Sequence, residues 1–207
     1  MSVESSFQRL ARRCSMLATG DLAPLVYSVW LRWRRLESGY ANYVSAEDGN
    51  SHQHSGGPKL TQVLRTMQIP KASVALDLGV GMGIAALTLS HHFSSVVGVD
   101  LSPELIAIAK RNIAKMRVTN IELHCADART FTEGLERVTH VYMFNPFPAT
   151  VMSAAMKNLR RSLVKCPRRL TIIYKFPVCH ETLLAARFTH KHTFHLRHSH
   201  PFAVYET

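Results

Sequence analysis

Val74-Ala75-Leu76-Asp77-Leu78-Gly79-Val80-Gly81-Met82-Gly83-Ile84 is the stretch on which the reading of the chain turns. Val74–Leu78 is a short, mostly apolar run and predicts a buried strand. Ile84–Leu89 is apolar and compact enough to open a helix. Between them, glycines hold every second position, which permits a tight turn and lets a ligand approach bare backbone. A strand, a Gly-rich loop and a helix in that order aim backbone N–H groups and the positive end of a helix at a ligand. The stretch therefore predicts a nucleotide-type cofactor site at the first turn of a doubly wound α/β sheet.

The spacing narrows the cofactor. The dinucleotide fingerprint is G-x-G-x-x-G, whereas here it is G-x-G-x-G with Asp77 two residues ahead of the first glycine. A carboxylate there is badly placed for a pyrophosphate and well placed for a cation. Val96-Val97-Gly98-Val99-Asp100 reads as a second strand ending in an acid, 21 residues after Gly79, which suits a ribose diol. Ile121–Cys125 reads as a third strand, followed by Ala126-Asp127-Ala128, where an acid can accept from an adenine amino group. The set D-x-G-x-G-x-G, V-D and A-D-A resembles the class I S-adenosylmethionine-dependent methyltransferases. The resemblance implies that S-adenosyl-L-methionine is the cofactor. It implies that Asp77, Gly79, Gly81 and Gly83 cradle the methionine moiety. Asp100 with Leu101 would hold the ribose, Asp127 with Ala128 the adenine end, and Asn145 would complete the cofactor set. A NAD-binding fold, or glycines serving only the turn, is the competing reading, and the spacing disfavours NAD.

The chain has 207 residues, which suggests one domain with a small extension: residues 1–58 as helical extension and lid or linker, 59–207 as the Rossmann-like domain. No apolar run reaches the roughly 18 residues that span a bilayer. Cys14, Cys125, Cys166 and Cys179 form no CxxC pair and read as reduced thiols, which points to the cytoplasm, with Cys125 in the core. The start is rich in Ser and Arg and poor in acids, so residues 1–20 acting as a mitochondrial presequence is the alternative. The net charge of +11 is uneven: residues 130–207 carry eleven basic against four acidic groups. That surplus favours nucleic acid, an acidic protein or an anionic membrane as partner, or serves only as a solvated face.

In chain order, residues 5–18 carry a helical stripe of Phe7, Leu10, Cys14 and Leu17 among arginines. Ala23–Leu36 reads as a core helix with a basic cap, though its Trp and Arg also suit a membrane surface, so peripheral membrane contact is open. Glu37–Pro58 reads as a loop; the resemblance implies that it covers the cofactor and that Tyr40 and Tyr43 line a substrate entrance, the alternative being a plain linker. Lys59–Met67 resumes helical periodicity. Strands and helices then alternate: helix 84–92, strand 96–99, a helix opened by Ser102-Pro103-Glu104, strand 121–125, a short helix 131–136, strand 138–144, helix 150–163, strand 170–174 and helix 181–187. Residues 189–196 and 202–205 read as a closing antiparallel hairpin. The expected fold is a mainly parallel, seven-stranded, doubly wound sheet with that hairpin and an N-terminal helical extension.

Asn145-Pro146-Phe147-Pro148 ends the fourth strand, where ligands bind in open parallel sheets. By position it resembles the [N/D]-P-P-[Y/F] motif of amino-group methyltransferases, with Phe and Pro in the last two places. It is closer to a group of small methyltransferases with an Asn-Pro-Phe turn. The catalytic candidates are Asn145, whose carbonyl oxygen can orient a target nitrogen, and Phe147, whose π face can cover it. The expected activity is N-methylation of an amino group such as a protein lysine. The alternatives are an RNA or DNA methyltransferase, reading nucleic acid through the basic last third, and a non-catalytic adaptor that keeps the cofactor pocket. Arg160, Arg161, Lys165, Arg168 and Arg169 suggest a partner-facing patch. His190, His192, His195, His198 and His200 offer imidazoles on the hairpin, with His190 and His192 expected on one face. No acid or cysteine completes a metal set there, so no metal site is expected.

Overall fold

The structure is a computed structural model that describes residues 23–38 and 56–207. The expected helix over 5–18, Cys14, Tyr40 and Tyr43 lie outside these. Strands β1 (Val74–Leu78), β2 (Ser95–Asp100), β3 (Ile121–Cys125), β4 (His140–Phe144), β5 (Thr171–Lys175), β6 (Thr189–Phe194) and β7 (Phe202–Glu206) form one sheet. Its order is β3-β2-β1-β4-β5-β7-β6. The first five pair in parallel, and β7 inserts antiparallel between β5 and β6. The helices are α1 (Ala23–Trp33), α2 (Pro58–Arg65), α3 (Ile84–Leu89), α4 (Pro103–Met116), α5 (Ala149–Lys165) and α6 (His180–Ala185).

Alternation along the strands divides the core between the two faces of the sheet. Leu76, Val97, Val141 and Ile172 pack with Val151, Met152, Ala155 and Leu159 of α5. Ala75, Val96, Tyr142 and Ile173 pack on the other face with Leu60, Val63 and Leu64 of α2 and Ala86 and Leu89 of α3. Asp77 follows Ala75 by two residues and so shares the α3 face.

Local chemistry sets the element ends. Ser102 caps α4, its Oγ accepting the Leu105 N–H at 3.2 Å. Helix α1 stops at Trp33 rather than Leu36, because Arg35 turns left-handed and the Leu36 N–H returns to the Leu31 carbonyl. Helix α3 stops at Leu89 rather than residue 92, and the Asn120 amide binds the carbonyls of Ser90 and Phe93 beyond its end. The helix expected over 131–136 shrinks to a 3-10 turn, Leu135–Arg137, because Gly134 sits at φ 66.

Three further expectations change. Cys125 is exposed, since β3 is an edge strand and its last residue faces solvent. The basic crowd after α5 is partly internal. The Arg168 guanidinium donates to the carbonyls of Val138, Leu135, Cys166 and Ser162, clamping the approach to β4, and Arg169 pairs with Glu206 at 2.6 Å. His190 and His192 do not share a face. A bulge between them sets them opposite consecutive residues, Tyr205 and Val204, which point to opposite sides.

Candidate functional site

Strand β1 runs into the glycine loop, and the loop is held by what surrounds it. The N–H groups of Gly79 and Val80 both donate to the Val99 carbonyl, at 2.9 and 3.0 Å. The Gly81 N–H donates to Asp100 Oδ2 at 2.8 Å, and the Ser102 N–H to Oδ1 at 3.0 Å. Asp100 thus ties the end of β2 to the loop, and burial pushes its carboxyl above the usual range. Gly79 is required twice over. Its φ is +79, and a Cβ there would lie 2.5 Å from Cβ of Pro146. The glycine loop and the Asn-Pro-Phe turn therefore press directly against each other, although 66 residues separate them in sequence.

Asp77 lies beneath the loop and is 2% exposed. Its Oδ2 is buried with no hydrogen-bond partner. Burial, with the neighbouring Asp100 carboxylate, pushes its pKa up to about 8, against the Ala86 N–H, which favours the charged form. A buried acid left in this state is costly unless it meets a cation that donates to it. Among the described residues nothing donates to Oδ2, which leaves that oxygen available to a cationic donor. The ammonium of a methionine moiety fits such an oxygen; of the loop glycines, Gly79 is half-buried and Gly81 and Gly83 are buried.

Asp127 is a different case. Its Oδ1 accepts the Arg129 N–H at 2.8 Å and its Oδ2 accepts Arg129 Nε at 2.8 Å, which holds the carboxyl below its ordinary range. It sits on the rim after β3, where the Ala126 N–H bonds the Asp100 carbonyl. Ala128 is buried in the core and Leu101 is exposed at the rim. Sequence reading missed Arg129, whose position two residues after Asp127 was the available signal.

On the other side of the loop stands Asn145, in the left-handed region at φ 37. The Tyr174 hydroxyl donates to Asn145 Oδ1 at 3.3 Å and accepts the Cys179 N–H at 3.2 Å. This chain orients the carboxamide. Phe147 is half-buried and packs against the α5-side core. Sequence reading also missed Lys175. Register pairs it with Phe144, and its Nζ sits 4.2 Å from the Phe144 ring centroid and 5.5 Å from that of Phe202. Burial pulls its ammonium down to about 8. The signal was a lysine closing an apolar strand beside the strand that carries Asn145.

Among the described residues, Glu122, His124 and Glu133 are the group whose ligand-type atoms gather. His124 Nε2 meets Glu122 at 3.1 Å and Nδ1 meets Glu133 at 3.5 Å. The two carboxylates thus take opposite sides of one ring on the exposed edge of the sheet.

Residues 75–165 match the family model of a methyltransferase domain. Among curated relatives, ribosomal RNA small subunit methyltransferase J of Bdellovibrio bacteriovorus is 38% identical over 89 residues, covering 40% of this chain and 35% of the relative. A ubiquinone biosynthesis O-methyltransferase of Coxiella burnetii is 37% identical over 67 residues, 32% of this chain and 28% of the relative. The chain thus spans about a third of the length of these relatives, and they act on different acceptors. A methyltransferase-fold protein of Streptococcus mutans, solved with S-adenosylhomocysteine, superposes with a TM-score of 0.55 at 14% identity, covering 72% of this chain and 95% of that one. The family match and the shared fold agree: residues 75–165 are a methyltransferase domain with the Rossmann-like fold of S-adenosylmethionine-dependent methyltransferases of known structure.

Proposed function

We propose that the chain transfers a methyl group from S-adenosylmethionine to a nitrogen acceptor, such as a protein lysine amino group, presented at Asn145-Pro146-Phe147. One observation carries the reading. Pro146 is packed against Gly79, which puts the Tyr174-oriented Asn145 carboxamide at the edge of the cofactor loop. In this reading Asp77 and the loop glycines hold the methionine end, Asp100 and Leu101 the ribose, and Asp127 and Ala128 the adenine end. Bound there, the cofactor supplies an electrophilic methyl on a sulfonium. The protein's part is alignment and a dry, polar surround. Asn145 Oδ1 accepts from the acceptor N–H and turns the nitrogen lone pair toward the loop. Phe147 borders the acceptor, and its π face favours the positive charge that the nitrogen gains.

A second reading has its own support. Lys157, Arg160 and Arg161 line a groove of about 630 Å³ between α5 and α6, and one relative is a ribosomal RNA methyltransferase. Nucleic acid as acceptor fits that basic surface. One experiment separates the two. Purified chain, tritium-methyl S-adenosylmethionine and a cell lysate are incubated, then split between protease and ribonuclease. Label removed by protease supports the amine reading, and label removed by ribonuclease replaces it with the RNA reading. Tight cofactor binding with no transfer to any fraction would overturn both in favour of a non-catalytic adaptor.

A further inference from the structure

We propose that α1 docks the protein on an anionic lipid surface, with Val26, Val29 and Trp33 entering the headgroup boundary and Arg32, Arg34 and Arg35 meeting lipid phosphates. The three apolar side chains are spaced i, i+3, i+7 and so lie on one stripe. They are 63%, 61% and 72% exposed. The stripe belongs to a helix that is otherwise firmly seated. Leu31 is buried against Ile84 and Leu87 of α3 and Ile113 of α4. Just past the helix, the Glu37 carboxylate takes a two-pronged bond from Arg111, and Asn112 binds both the N–H and the carbonyl of Glu37. A helix held this way keeps its outward stripe fixed.

Charge chooses the occupant. Ala23–Trp33 contains no acid, and Glu37 is matched by Arg111 and Lys115. What remains at the surface is Arg32, Arg34 and Arg35, with the Arg34 guanidinium 5.2 Å from the Trp33 ring. Trp beside Arg on an apolar stripe is the composition of an interfacial helix. No helix among the described residues is long and apolar enough to cross a membrane, so α1 lies on the surface. A second copy is the poorer occupant. Three side chains offer far less area than a stable dimer buries, and a two-fold contact would set arginines against arginines. The seat of α1 adds a consequence. Asn112, which binds Glu37, also donates to the Met82 carbonyl inside the glycine loop at 2.9 Å, so the docked face would lie beside the cofactor loop.

The test uses the full chain and vesicles of phosphatidylcholine with and without about 30% phosphatidylserine. Co-sedimentation reads binding, and tryptophan emission reads insertion, since the only tryptophans are Trp30 and Trp33. We expect at least about tenfold stronger partitioning to the anionic vesicles, a blue shift on binding, and weakening by salt. W33S abolishes the shift, and R32Q/R34Q/R35Q loses on the order of 100-fold in partitioning. Both variants change exposed side chains, and unchanged cofactor affinity by calorimetry shows that they are folded. Equal binding to neutral vesicles, or W33S binding as well as the parent, overturns the proposal. So does a parent dimer in sedimentation that W33S dissolves, or a parent Trp33 already shielded from acrylamide without vesicles.

Discussion

Asp77 makes a quantitative prediction. With a pKa of about 8 in the unliganded protein, roughly nine molecules in ten hold the Asp77 proton near pH 7. A cationic ligand bound against Oδ2 requires the ionised form. Cofactor binding should therefore release about 0.9 proton near pH 7 and about 0.1 near pH 9. The assay is calorimetry in two buffers of different ionisation enthalpy, with D77N as reference, since Asn cannot release a proton. D77N should also lose about 100-fold or more in affinity, because it leaves the ligand's cation without a counter-charge. The same shift sets a stability trend. The folded pKa lies above the unfolded one, so the folded state binds the extra proton, and stability falls as pH rises from about 4 to about 8. The full effect is on the order of 5 kcal/mol, and D77N should remove it. Tight binding of the cofactor near pH 7 with no more proton release than in D77N would show that Asp77 does not meet the ligand's cation.

Three further outcomes follow from the geometry. G79V forces a β-branched residue to φ +79 and drives a side chain into Pro146, so it should lower stability by roughly 2 kcal/mol or more and abolish cofactor binding, read by thermal melting and calorimetry. Y174F removes the donor to Asn145 and the acceptor for the Cys179 N–H, and should cost about 1–3 kcal/mol in chemical denaturation. In a transfer assay it should lower kcat while cofactor affinity stays within about twofold, whereas a pure loss of affinity would remove Asn145 from the acceptor side. Lys175, with a folded pKa of about 8, disfavours its own charge, so stability should rise with pH between about 8 and about 10. K175M should flatten that rise and stabilise the protein near pH 7 by up to about 3 kcal/mol, measured by urea unfolding across pH.

Much of this was legible in the residues, for identifiable reasons. Strand–helix alternation, the Ser102-Pro103 cap and acids at successive strand ends are local patterns, and local patterns set a parallel sheet and its order of elements. What escaped depended on contacts far apart in sequence. Cys125 reads as core because it closes a strand expected to be buried, but only sheet order reveals an edge strand. Arg168 looked like surface because arginines cluster there, but its partners are carbonyls about thirty residues upstream. The hairpin histidines broke their expected pairing through one inserted residue, which no period-2 count detects. At the site, the acids were found by spacing, yet their states differ. Asp77 has one oxygen without a partner, Asp100 is tied to the loop and Asp127 is matched to Arg129. Those states follow from burial and neighbours.

Calorimetric titration of the full chain with S-adenosylmethionine and S-adenosylhomocysteine, with NAD as control, tests the cofactor assignment most directly. Saturable binding of both sulfur ligands at one site, none of NAD, and loss of binding in G79V are expected. Binding of NAD in preference to either, or of none of the three by folded protein, would contradict that assignment.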